Sequence, residues 1–186
     1  PPGFAALEKV VDELRKGFLK LRRTVQELES AGAAGLTIED TLLPQAFGQA
    51  GTQLISLEEG VGKMKAALDG RSDPSLVVMG RTGAVSITGL DDAIARAKAY
   101  EATGVDALFF TGIENRGELE AIFAATRLPI VLGGAPEDMT ALGLSPDIVV
   151  APASGGGLIA GVATAVKAKF PQAQIEAAGY RAQWFG

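Results

Sequence analysis

The chain has 186 residues, 47% apolar and 21% charged, which is room for one domain with a sizeable core. A net charge of −5 and a pI near 4.8 argue against nucleic acid or a membrane surface as the main partner. With no cysteine and no histidine, disulfides, thiolate nucleophiles, imidazole bases and Cys/His zinc sites are excluded, so carboxylates, Lys, Arg, Tyr, hydroxyls, water or a bound ion must carry any chemistry.

Residues 1–30 are helical in pattern. Leu7, Val11, Leu14, Phe18, Leu21, Val25 and Leu28 alternate in steps of four and three, a heptad seam along one face. Charges of both signs surround it, as on a solvated helix face. Gly17 lies inside and weakens one long helix by about 1 kcal/mol. The favoured reading is one or two helices covering the core; the alternative is a coiled-coil or dimer contact.

Short apolar runs then alternate with helical stretches. "GLTIE" (35–39) ends in the acids Glu39 and Asp40 and is followed by a Pro- and Gly-marked loop. Ser56 and Glu59 make a capping-box pattern before Val61, Met64 and Leu68. "SLVVMG" (75–80) is followed by a helix over 91–103 carrying Ile94, Ala97 and Tyr100 on one face. "DALFFTG" (106–112) precedes a helix opened by Asn115 and Glu118. "LPIVLGG" (128–134), "DIVVAP" (147–152) and the weaker "QIEAAGY" (174–180) complete the runs, with a small-residue helix over 158–169. Nearly continuous apolar strands separated by helices indicate α/β architecture with a parallel sheet covered on its faces. Five or six strands cannot close an eight-stranded barrel alone. The expected fold is therefore one α/β domain over 1–186 with an open, flavodoxin-like doubly wound sheet; the alternative is a partial (β/α)8 barrel with exposed edges. No stretch reads as a signal peptide or membrane span, which fits a cytoplasmic chain.

"RTVQELESAGAAGLTIEDT", "LISLEEGVGKMKAALDGRSDPSLVVMGRTGA" and "DDAIARAKAYEATGVDALFFTGI" resemble the isocitrate lyase / phosphoenolpyruvate mutase family, and most closely its oxaloacetate decarboxylase and dimethylmalate lyase subgroup. The resemblance spans about 19–135. It implies descent from (β/α)8 barrels that bind Mg2+ and make or break carbon–carbon bonds in small oxo- or hydroxy-dicarboxylates. It places Glu39 at the strand-end glutamate that helps hold Mg2+ through water, and Arg81 at the arginine that grips a substrate carboxylate. The departures are specific. The family's Asp-x-Asp metal ligands belong on the preceding strand, where this chain has "KGFLKLRRT". The lyases' loop cysteine and the subgroup's histidine are absent, and Gly83 stands where an acid or amide is common. The competing reading of Glu39 is a solvated strand-end acid, and of Arg81 an ion pair with Glu39 or Asp40; Asp40 is expected to cap the loop.

"SPDIVVAPASGGGLIAGVATAVKAKFPQAQI" (145–175) resembles instead the glycine loop of fold-type II pyridoxal-phosphate enzymes of the serine/threonine dehydratase group. Ser154, Gly155, Gly156 and Gly157 would offer backbone N–H groups at a helix start, an anion site; the alternative is a tight turn that lets the helix pack closely. No Schiff-base lysine motif accompanies the loop, so pyridoxal-phosphate chemistry is not expected. Two signatures in one chain (31–135 and 145–186) suggest a chimera, a truncated form or a designed composite. The functional expectation is an Mg2+-dependent carbon–carbon lyase or decarboxylase with an incomplete site. The alternative is a non-catalytic α/β scaffold binding phosphate weakly at the glycine loop. The expected partners are small carboxylate or phosphate anions and a second copy of the chain, with neither nucleic acid nor membrane.

Overall fold

The computed structural model describes residues 2–44, 47–48, 50–133, 148–152, 166–168 and 171–178. The chain divides into two compact units, Pro1–Pro136 and Glu137–Gly186. The first runs α1 (Pro2–Ser30), β1 (Gly35–Glu39), α2 (Leu57–Gly70), β2 (Val77–Thr82), α3 (Ala84–Ile87), α4 (Leu90–Glu101), β3 (Ala107–Phe110), α5 (Arg116–Ala125) and β4 (Ile130–Leu132). In the second, β5 (Ile148–Pro152) and β6 (Gln174–Ala178) pair in parallel, Ile148 opposite Gln174 and Pro152 opposite Ala178.

Local chemistry sets the helix starts. Ser56 accepts from the Glu59 N–H at 3.1 Å, and Glu58 and Glu59 place negative charge in the first turn of α2. Asn115 caps α5 by accepting from the Glu118 N–H at 3.0 Å, and Glu118 reaches back to the N–H of Glu114 at 2.9 Å. Gly89, at φ +101°, turns the chain from the four-residue α3 into α4, a backbone that L side chains resist.

The four strands of the first unit are parallel, in the order β1-β2-β3-β4. The α/β class, the parallel pairing and the open sheet follow the expectation. Sequential order without reversal is that of a barrel wall, and no topological switch point occurs among the described strands. One face of the sheet, with Val78, Gly80, Leu108 and Phe110, is buried beneath α2 and α4. Gly80 admits the ring of Tyr100, which a Cβ there would meet at 3.2 Å. The other face is less covered: Val77 and Val131 stay 39% and 37% exposed.

The N-terminal segment is one 29-residue helix. Its second half packs on α2, with Val25 fully buried; a Cβ on Gly62 would fall 2.5 Å from the Phe18 ring, and one on Gly70 2.6 Å from the Arg22 carbonyl. Among the described residues, no helix is long and apolar enough to cross a membrane.

Candidate functional site

Side chains alternate across a strand, so one register row gathers residues from every strand on one face. The row at the C-terminal ends is Glu39 opposite Arg81, Arg81 opposite Phe109, and Phe109 opposite Val131. Both sequence-predicted residues therefore sit side by side on the less covered face, at the end where barrels carry their sites.

The Glu39 carboxylate accepts from the Thr41 hydroxyl at 2.7 Å and lies 3.7 Å from the Arg81 guanidinium. The backbone carbonyl of Glu39 accepts from Lys63 of α2. Arg81 lies over the Phe109 ring, 5.2 Å from its centroid, a cation–π geometry. Phe109 has that place because residue 133 is glycine: a Cβ there would come within 2.1 Å of the ring. The Nε–H of Arg81 is buried and has no acceptor. The guanidinium is thus held by its ring and only loosely engaged by its carboxylate, with part of its donor capacity unspent.

Asp40 points to the opposite face and is fully buried. One carboxylate oxygen accepts from the Tyr100 hydroxyl at 2.8 Å and from Arg96 at 3.1 Å; the other is buried without a partner. Arg96 also bonds Asp92 at 2.8 Å and the Ile55 carbonyl at 3.0 Å. The expected loop cap is therefore corrected: the Asp40 side chain ties β1 to α4. Its backbone carbonyl does hold the loop, accepting from the Ile55 N–H at 2.9 Å, beside the Thr41–Leu54 bridge. The Asp40–Arg96 pair thereby fixes both stems of residues 41–54. Burial, with Asp40 adding to it, pushes the Tyr100 phenol well above its ordinary range. Burial opposes the charge on Arg96, but its bonds to Asp92 and Tyr100 outweigh that and keep it firmly protonated. Burial likewise opposes ionisation of Asp92, and the bonds from Arg96 and Thr88 pull it below the usual carboxylate range nonetheless.

Sequence reasoning missed this network. The available signal was Arg96 and Tyr100 one turn apart on a face otherwise made of Ala93 and Ala97. An open cleft of about 670 Å3 runs between α1 and the loop after β1; Glu39 and Lys63 line it, and Arg81 does not. Among the described residues no group of three acids comes together to hold a metal ion. Glu39 suits a contact through water to a hydrated hard cation, and it does not by itself make a cage. Ser154, Gly155, Gly156 and Gly157 lie outside the described residues.

The family model for phosphoenolpyruvate phosphomutase matches residues 10–168. An oxaloacetate decarboxylase of Bradyrhizobium diazoefficiens is 80% identical over 123 residues, covering 66% of this chain and 43% of the relative. One from Rhodopseudomonas palustris is 67% identical over 138 residues, covering 73% and 48%. The chain thus spans less than half the length of these curated relatives. Among solved structures, a phosphonopyruvate hydrolase complexed with oxalate and Mg2+ aligns with a TM-score of 0.56 at 25% identity, covering 87% of this chain and 50% of that one. A 2,3-dimethylmalate lyase aligns at 0.59 and 21% identity, covering 86% and 48%, a likeness of fold.

Proposed function

Since this chain belongs to the phosphoenolpyruvate phosphomutase family, we propose that it carries the carboxylate-gripping part of a carbon–carbon lyase site for small oxo-dicarboxylates, without a complete metal cage of its own. The observation that carries this reading is Arg81: a guanidinium stacked on Phe109, 3.7 Å from Glu39, with a buried Nε–H that has no acceptor. A planar carboxylate matches that unspent donor capacity.

The electrostatics of the pair define what else the site needs. A substrate carboxylate reaching Arg81 also approaches Glu39, and two anions at that range repel. A hydrated divalent cation beside Glu39 removes the conflict, which supports Mg2+ as the cofactor; Glu39 would hold it through water. When bound, the ion serves as electron sink for the enolate left by bond cleavage. Loss of CO2 from a 2-oxo-dicarboxylate requires the departing carboxylate to be free of cationic clamps, because its charge must flow into the new enolate. Arg81 therefore holds the other carboxylate, the one next to the keto group, and orients the scissile bond. A proton from water then completes the oxo-acid product. Glu39 is the lone carboxylate of the row, so water would fill most of the ion's coordination there. The glycine loop, Ser154–Gly157, is kept as a second, phosphate-binding proposal resting on its sequence alone.

The test compares oxaloacetate decarboxylation by the chain with Mg2+ against Mg2+ alone. The expected result is no excess rate, together with Mg2+-enhanced binding of oxalate that Arg81→Ala abolishes and Glu39→Gln makes independent of Mg2+. An excess rate removed by both substitutions would overturn the incomplete cage and uphold the lyase. Absence of both turnover and oxalate binding would overturn the carboxylate site itself.

A further inference from the structure

Glu39 and Thr41 stand two residues apart in extended chain, so their side chains share a face, while Asp40 between them turns to the other. The Thr41 hydroxyl donates at 2.7 Å to Oε1 of Glu39, and that same oxygen is the one 3.7 Å from the Arg81 guanidinium. The first distance is a hydrogen bond; the second is an ion pair without one. The hydroxyl is firmly anchored. Thr41 bridges Leu54 across the loop stems, where the Leu42 N–H donates to the Gln53 carbonyl at 2.8 Å and the Ile55 N–H to the Asp40 carbonyl at 2.9 Å. A β-branched side chain also has little freedom about its first torsion. The strand end is fixed as well, since Lys63 donates to the Glu39 carbonyl.

Resting on the reading of Arg81 as a carboxylate clamp, we propose that Thr41 is the positioning residue of that clamp: its hydroxyl holds the Glu39 carboxylate back from Arg81 and keeps the guanidinium open to a ligand. Released from the hydroxyl, the carboxylate would close on Arg81, because the two groups bond in parallel when they meet edge to edge. That closure would occupy the donors a ligand carboxylate needs. A half-exposed ion pair is worth little in water, so one fixed hydroxyl is enough to decide between the two arrangements. The buried network acquires a role by this route. Asp40 and Arg96 fix the loop stems, the stems fix Thr41, and Thr41 sets the gap between Glu39 and Arg81.

The test uses the full chain with oxalate and Mg2+. Thr41→Val keeps the side-chain shape and the backbone bridge and removes only the donor. It should weaken oxalate binding about tenfold, the scale of one hydrogen bond to a charged group. Thr41→Ser should bind as the natural chain does, and Thr41→Val should have no effect where Glu39→Gln is already present. Without ligand, nitrogen NMR should show rotation about the Arg81 Nε–Cζ bond slowed by Thr41→Val and not by Thr41→Ser. Undiminished oxalate binding by Thr41→Val, or a loss that persists beside Glu39→Gln, would overturn the proposal. If the natural chain binds no oxalate, the clamp reading fails by itself. The ligand-free rotation then decides whether Thr41 holds the pair apart, and an unchanged rate would overturn that too.

Discussion

Glu39 and Asp40 are neighbours in sequence and lie on opposite faces of one sheet. Glu39 stands in the half-exposed row with Arg81, while Asp40 is buried with Arg96 and Tyr100. Their substitutions should differ accordingly. Asp40→Asn removes the buried carboxylate that accepts from both Tyr100 and Arg96, leaving Asp92 as the counter-charge of Arg96, and should cost about 1–3 kcal/mol, read from urea unfolding. Glu39→Gln should cost less than about 1 kcal/mol in the same measurement, as for an exposed pair. Tyr100 adds a pH signature. Its pKa is raised in the folded state, so above about pH 10 the unfolded chain releases a proton that the folded chain keeps. That contribution to stability is complete below this pH and is lost as pH rises toward the folded value. Unfolding free energy measured from pH 9 upward should fall more steeply for the natural chain than for Tyr100→Phe. The family resemblance made Glu39 and Arg81 legible in the sequence. The Asp40 network was not, because burial of a charged pair depends on which helix crosses the strand end, and that is a tertiary fact.

At the scale of elements, glycine shows how contact overrides propensity. Gly17 and Gly70 both lie in helices. A Cβ at Gly17 meets nothing within 4 Å, whereas one at Gly70 would press 2.6 Å from the Arg22 carbonyl, backbone that cannot rotate away. Gly17→Ala should stabilise the chain by about 0.5–1 kcal/mol. Gly70→Ala should destabilise it by about 1–3 kcal/mol despite the better helix former. Paired thermal unfolding curves with opposite shifts would verify both signs. The elements themselves were largely readable, since continuous apolar runs marked β1 to β4 and the Ser56 and Asn115 caps marked α2 and α5. The short α3 was not, because four residues hold no periodicity. The 29-residue α1 keeps Gly17 in its interior because a cost of about 1 kcal/mol is small beside the packing of Phe18 and Val25 on α2.

The whole molecule brings in what no local pattern contains, the order of the strands. A flavodoxin-like sheet and a barrel segment share the same runs and spacing; they differ in which strands touch. Sequential pairing makes the end row Glu39–Arg81–Phe109–Val131 continuous, and that continuity places a carboxylate and a guanidinium on the same face. With less than half the length of its curated relatives, the chain presents this row on the less covered face of an open sheet.

The most direct test follows the Arg81 Nε–H resonance by NMR during titration with oxalate in the presence of Mg2+. A saturable shift at millimolar oxalate should occur in the natural chain and in Arg116→Ala, and it should vanish with its resonance in Arg81→Ala, where Phe109 should also stop responding. An Arg81 signal that stays in place while oxalate reaches tens of millimolar would contradict the assignment of this guanidinium to a carboxylate.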